Sequence, residues 1–348
     1  MNHSPASNAV FSPALVESTL RTYLDGRLRD SARIHPQVEA LARFLVDFTL
    51  DGGKRMRPLF AWTGYETAGV SASAEEREAV VKAVSALELI QSCALVHDDI
   101  IDASDSRRGN PTVHRRVEAF YGDAPKAARL GNDVGILLGD MALAWADDMF
   151  YESGVSPEAL KRAWQPWREM RTEVIGGQIL DIDNETKSCD IDAAMQVMRY
   201  KTAAYTVERP LHIGAALAGA SEDIISALRT YGESVGKAFQ LRDDLLGVFG
   251  DPAITGKPAG DDLREGKRTV LLAFAAEELG SDAELVEKYL GKAEYVETLR
   301  DLISSTKAEA RCEELIENLR DEGLAAIKGL PTEETLEALA MKATARKF

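Results

Sequence analysis

Apolar positions along this chain recur at steps of three and four residues, the period of a helix with one buried face. Ala79, Ala83, Ala86, Ile90 and Ala94 show that spacing inside a candidate helix from Ser73 or Ala74 to about Ile101. The same period predicts helices over roughly 36–51, 57–69, 130–152, 157–183, 190–219, 222–249, 267–279 and 293–328. Ser12-Pro13 starts an earlier one as N-cap and first-turn proline. Alternating β-branched runs, the mark of half-buried strands, are hard to find. Joints rich in Gly, Pro and Asp separate the segments, notably GVSAS, YGDAPK, ESGVSP and GDPAITGKPAGDD. No repeat and no long linker divides the chain. The expectation is one all-α domain over 1–348, built of many antiparallel helices, with residues 1–12 flexible by composition.

Composition narrows the partners. Apolar residues make up 45% of the chain, enough for a sizeable core, and 57 Asp plus Glu against 41 Lys plus Arg give a net charge of −16. So acidic a surface argues against nucleic acid and against anionic lipid as nonspecific partners. An anionic small ligand is still admitted where metal ions or local cations reverse the field. Cys93, Cys189 and Cys312 lie far apart with no CxxC spacing, which fits a reducing cytoplasm and neither a disulfide framework nor a zinc site. No secretory signal pattern and no run of about 18 apolar residues is visible, so a soluble protein without a transmembrane segment is expected.

Several short stretches concentrate charge. In DDIID, Asp98 and Asp102 fall one helical turn apart on one face, as oxygen ligands for a hard cation such as Mg2+ would. A solvated helix end explains that motif alone equally well. Asp243-Asp244 in FQLRDD form a second pair near the end of an apolar helix. Two such pairs facing each other would gather several divalent ions, and diphosphate would complete the ions' shells. GGKRMRP sets Lys54, Arg55 and Arg57 in a glycine-started turn before a helix, a favourable place for phosphate. By itself it also reads as a basic surface turn, and Arg107-Arg108 is just as ambiguous. Lys201-Thr202 lies within an apolar helical stretch, where an unpaired lysine would be costly. Lys257 and Lys267 sit in Gly-rich loops, and Gly176-Gly177-Gln178, with Asp181 beyond, reads first as a kink or close packing. HExxH, GxSxG, GxxxxGK[ST] and GxGxxG are all missing, which removes the zinc-hydrolase, serine-hydrolase, P-loop and dinucleotide readings.

Taken in order, GGKRMRP, DDIID with RRG, GGQ with Asp181, KT, FQLRDD and the GK loop resemble the trans-isoprenyl diphosphate synthases, or polyprenyl synthetases. The resemblance implies an all-α isoprenoid synthase fold, a large antiparallel helix bundle around a deep central cavity, and a cytoplasmic homodimer. It implies a prenyltransferase that joins isopentenyl diphosphate head-to-tail to dimethylallyl, geranyl or farnesyl diphosphate, with three Mg2+ ions per loaded site. Asp98, Asp102 and Asp243 would bind the metal, supported by Asp99 and Asp244. Arg107, Lys201, Thr202, Gln240, Lys257 and Lys267 would meet the allylic diphosphate. Lys54, Arg55, Arg57, Arg108 and Gln91 would meet isopentenyl diphosphate. The catalytic set is then Asp98, Asp99, Asp102, Arg107, Lys201, Asp243 and Asp244.

One position departs from the family's pattern. Many members carry Asp at the fifth place of the second acidic motif, and here Gly247 stands there, with Asp251 no obvious substitute. Chain length is read from the helix leading to Asp98. Leu87, Gln91 and Ala94 project onto nearly the face of Asp98, while Cys93 points aside. Members that stop at fifteen carbons often carry aromatic rings at the positions of Cys93 and Ala94, so these small side chains, closed off below by Leu87 and Ile90, imply geranylgeranyl diphosphate. Farnesyl or longer products are the nearer alternatives. A terpene cyclase would need no second diphosphate site, and a noncatalytic helical regulatory subunit would need no intact cation set.

Overall fold

The structure, a computed structural model, describes residues 11–250 and 259–344. The first helices are α1 (Pro13–Ile34), α2 (Pro36–Leu50), α3 (Met56–Thr67), α4 (Ala74–Ser85) and α5 (Leu87–Ile101). A two-stranded hairpin, β1 (Ser106–Arg107) with β2 (Asn110–Pro111), leads to α6 (Val113–Tyr121), α7 (Ala127–Tyr151) and α8 (Pro157–Asn184). Helix α9 (Ile191–Val197) runs through a π-helical stretch, Met198–Glu208, into α10 (Arg209–Ala218) and is followed by α11 (Glu222–Phe249). The remainder is α12 (Asp261–Glu265), α13 (Val270–Leu279), α14 (Ala283–Tyr289), α15 (Val296–Ser304), α16 (Ala308–Ala326) and α17 (Glu333–Thr344). Two compact units result: Met1–Ala163 with Ala216–Gly219, and Trp164–Ala215 with Ala220–Phe348.

Helix starts follow local chemistry. Ser12 accepts from Leu15 N, with Pro13 in the first turn. Ser73 and Glu76 form a reciprocal capping box at α4, with Ser73 N donating to Glu76 Oε2 at 2.7 Å. Phe11 stacks on Trp62 at 4.9 Å between ring centroids, so the chain is held from just before α1.

In the first unit, α5 and α6 pack on α7 and α1 packs on α2. Gly131, Gly135 and Gly139 line up at four-residue steps on α7, and Cβ atoms there would collide with His114, Ile100 and His97 respectively. That smooth strip lets α5 and α6 approach α7 closely. In the second unit, α11 lies between the π-helical stretch and α16. Arg242 is buried and anchors α11, donating to both Glu313 carboxylate oxygens at 2.5 Å and to Thr344 O at 2.9 Å.

Three differences from the sequence reading have physical causes. The long helix ending near Ile101 tightens at Ala86, whose N–H donates back to Ala83 O, so α4 and α5 are distinct helices. The 293–328 segment breaks at Ser305–Lys307, where Lys307 N donates to Glu278 Oε2 at 2.9 Å. The 190–219 segment is one continuous run, but its middle widens to a π-helix. Ala74–Ile101 is long and apolar enough to cross a membrane, yet 78% of its most apolar window is buried inside the protein.

Candidate active site

Helix α5 delivers the first acidic cluster. Asp102 is its C-cap, and Asp102 N donates to Asp98 O at 2.8 Å, so the helical register holds through both carboxylates. Asp99 turns inward and is 1% exposed. Arg107 spans the pair: Nε donates to Asp99 Oδ1 at 2.7 Å and Nη2 to Asp98 Oδ2 at 3.2 Å. Burial alone would lower the Arg107 pKa, but Asp99, Asp98 and Asp102 reverse this and raise it. Its positive charge is therefore permanent at the edge of the cluster.

The hairpin separates the two arginines. Its turn is Arg108-Gly109, both with left-handed backbone (φ 53° and 77°), the geometry of a tight two-residue turn that twists with its strands. Arg107 therefore faces the aspartates, while Arg108 Nη1 donates to Asp51 O at 2.8 Å in the loop before α3. Asn110 Nδ2 reinforces that contact through Asp51 Oδ2 at 2.8 Å. Lys54 is exposed and Arg57 half-buried in the same loop-to-helix turn. Arg55 needs correcting as a ligand residue. It is 5% exposed, and its guanidinium is directed inward to Glu88 Oε2 at 2.7 Å and to Thr49 O at 3.0 Å.

Along α5 before Asp98, Leu87, Ile90 and Cys93 are buried, whereas Gln91 and Ala94 are half-buried. Cys93 Sγ lies 3.8 Å from His97 Nδ1, and His97 Nε2 lies 3.1 Å from Ile136 O on α7. Burial, then Asp140, pushes the Cys93 thiol up to about 12, so it remains a neutral, apolar-like group turned toward α7.

The second unit carries the other cluster. Asp243 is half-buried on α11, while Asp244 is 5% exposed and accepts from Gln240 Nε2 at 2.7 Å. Burial, followed by the charge of Asp262, pushes the Asp244 carboxyl up to about 8. The Gly247 departure now has a geometric counterpart. A Cβ there would collide with the Asp262 carboxylate, so Asp262, from the first turn of α12, occupies the side-chain space of position 247. Lys267 closes the group, with Nζ 3.5 Å from Asp262 Oδ1 and 2.5 Å from Glu265 Oε2. Asp251 and Lys257 lie outside the described residues.

Lys201 sits in the π-helical stretch and donates to Asp181 Oδ2 on α8 at 2.6 Å, which answers the cost of a lysine among apolar neighbours. Thr202 beside it is half-buried. A Cβ on Gly177 would collide with the Lys201 backbone, so GGQ is a close-packing site that admits the widened helix. Sequence reasoning left Glu88, Asp181 and Asp262 without roles. Their signals were a carboxylate in an apolar helical run, a carboxylate beside a glycine pair, and a carboxylate in a loop beyond the gap at Gly247.

The carboxylates of each cluster are hard oxygen donors, which suit Mg2+ and not a soft metal. Among the described residues no three His, Cys, Asp or Glu side chains form a metal cage by themselves. Mg2+ characteristically takes one or two carboxylates and completes its shell with water and substrate phosphates.

Comparison with known proteins names the class. Residues 38–305 match the polyprenyl synthetase family model. The chain is 37% identical over 233 residues to the geranylfarnesyl diphosphate synthase of Aeropyrum pernix, covering 66% of this chain and 68% of that one. It is 36% identical to a (2E,6E)-farnesyl diphosphate synthase of Mycobacterium tuberculosis, the match spanning 66% of this chain and 58% of that enzyme. Its structure superposes on geranylgeranyl pyrophosphate synthase from Corynebacterium glutamicum, complexed with isoprenyl diphosphate and magnesium, with a TM-score of 0.92. That pair is 48% identical, covering 96% of this chain and 98% of the other. The chain belongs to the polyprenyl synthetase family. It is a prenyltransferase, a trans-prenyl diphosphate synthase with the all-α isoprenoid synthase fold.

Proposed function

We propose that this chain joins isopentenyl diphosphate head-to-tail to an allylic prenyl diphosphate, with Mg2+, and that geranylgeranyl diphosphate is its main product. The observation that carries the two-substrate reading is the divided arginine pair. Arg107 is committed to the Asp98–Asp99 cluster and Arg108 to the Asp51–Arg57 turn, which supports reading the adjacent residues as serving two anion sites. A single-diphosphate enzyme has no use for the second.

Asp98, Asp102 and Asp243 would hold Mg2+, three ions when loaded, and the bound metal would neutralise the allylic diphosphate as its C–O bond breaks. Arg107, Lys201, Thr202, Gln240, Lys257 and Lys267 would hold that same diphosphate. Asp99 would keep Arg107 aimed, as Asp181 would keep Lys201. Lys54, Arg57, Arg108 and Gln91 would hold isopentenyl diphosphate still while its double bond attacks the allylic cation. The departing diphosphate is the base for the proton lost afterwards, and excluding water protects the cation.

Product length rests on Ala94, small and half-buried one turn before Asp98, with the bulkier Leu87 and Ile90 in the core behind it. The relatives' names span fifteen to twenty-five carbons, so the length is argued from these residues. A homodimer is supported by the exposed Ile175, Ile179 and Ile182 on α8, and a cytoplasmic location by three free thiols. The family match draws on residues of both compact units, which supports reading them as one synthase domain.

The test is the pair Asp98→Ala and Asp243→Ala. Each is expected to lower turnover by about 10²-fold or more while leaving helical circular dichroism unchanged. Near-normal turnover in either variant would remove that cluster from the mechanism.

A further inference from the structure

Glu88 stands in the first turn of α5 with its side chain only 7% exposed, and no step described above uses it. A carboxylate buried that far must be compensated. Arg55 Nη1 meets it at 2.7 Å and also donates to Thr49 O at 3.0 Å, while Nη2 reaches Leu50 O at 3.3 Å. One guanidinium thus ties the end of α2 to the start of α5. Ser92, one turn further along α5, adds a second tie through Thr49 Oγ1 at 2.9 Å.

Arg55 makes these bonds from a left-handed backbone (φ 50°), a conformation a non-glycine residue holds only when its surroundings enforce it. Lys54 and Arg57 flank this anchored residue, so the tether sets where the turn presents them. Gly53 lies between two guanidinia: a Cβ there would stand 3.6 Å from Arg55 Nη1 and 3.7 Å from Arg108 Nη1 and Nη2. Charges of like sign that close repel unless a counter-charge lies beneath them. Glu88 is that counter-charge, for Arg55 by direct contact and for Arg108 through space, where Asp51 adds a smaller share.

We propose that Glu88 is a positioning residue for the isopentenyl diphosphate site. Through Arg55 it fixes the Gly52–Pro58 turn, and its charge lets Arg108 remain beside that turn. The proposal rests on reading Lys54, Arg57 and Arg108 as the cations of that substrate.

Steady-state kinetics on the purified full chain with Mg2+, varying isopentenyl diphosphate and the allylic primer in turn, test it. Glu88→Gln is expected to raise KM for isopentenyl diphosphate about tenfold or more, with KM for the primer within about twofold. Arg55→Lys keeps the charge but loses the planar fork, and is expected to give the same split where Glu88→Gln does not fold. A merely structural role predicts instead a lower melting temperature with both KM values unmoved, or both moved together, and either result overturns the proposal. Arg57→Ala in the same assay separates the two layers. A split there without one in Glu88→Gln and Arg55→Lys overturns the positioning role alone. No split in Arg57→Ala overturns the substrate assignment on which it rests.

Discussion

Placing a methyl group at position 247 should change sign with the residue at 262. In the parent chain the new Cβ of Gly247→Ala would collide with the Asp262 carboxylate, which must then leave the surface of α11. Overpacking of that kind costs about 1–3 kcal/mol. Replacing a helix-interior glycine by alanine returns about 0.5–1 kcal/mol. The net expectation is a loss of up to about 2.5 kcal/mol. With Asp262→Ala in place the collision is gone and only the helix term remains, so the same substitution should stabilise by about 0.5–1 kcal/mol.

Denaturant titrations of the four proteins, followed by circular dichroism with a chelator present, give the two differences and their coupling energy, expected near 1–3 kcal/mol. The chelator keeps divalent ions from contributing. Were Gly247→Ala to stabilise both backgrounds equally, Asp262 would not occupy the side-chain space of position 247. Because Asp262 is also the main charge raising the Asp244 pKa, Asp262→Ala should let Asp244 ionise at a lower pH, visible in the pH dependence of stability.

Two further outcomes are expected. Burial, then Arg209 and Arg229, lowers the His212 imidazole to about 4, against about 6.5 unfolded. Only the unfolded chain takes up that proton between those values, so stability should fall by up to a few kcal/mol as pH drops from about 6.5 to about 4. His212→Gln should flatten that part of the profile, and an unchanged slope would assign it to other groups. Ala94→Phe should shorten the product to fifteen carbons with activity retained, and a variant still making the parent product would exclude Ala94 as the length-setting wall.

What the sequence disclosed, it disclosed through period and spacing. The helical period located α2, α3, α7, α8 and α11 to within a few residues, because each buries one long apolar stripe. Helix α6 was missed because its segment, VHRRVEAFY, does bury one face through Val113 and Val117 but is too short for a period to stand out. The π-helical widening at Met198–Glu208 is invisible to a period count, since it depends on Gly177 of another helix meeting the Lys201 backbone. The acidic pairs were legible as motifs, but their partners were not. Arg55 reads as one more cation in GGKRMRP, and only the fold turns it toward Glu88, distant in the chain. Asp262 likewise acquires meaning only where α12 meets α11 at a residue without a side chain.

The central claim is a two-substrate condensation that stops at twenty carbons. Its most direct test is mass analysis of the products formed by the purified chain with Mg2+, isopentenyl diphosphate and, in separate reactions, dimethylallyl, geranyl or farnesyl diphosphate. The account predicts twenty-carbon geranylgeranyl diphosphate as the main product from every primer accepted, with inorganic diphosphate released at each addition. A cyclic hydrocarbon formed without consuming isopentenyl diphosphate, or no elongation of any primer, would contradict the condensation, and a main product of fifteen or twenty-five carbons would contradict the length.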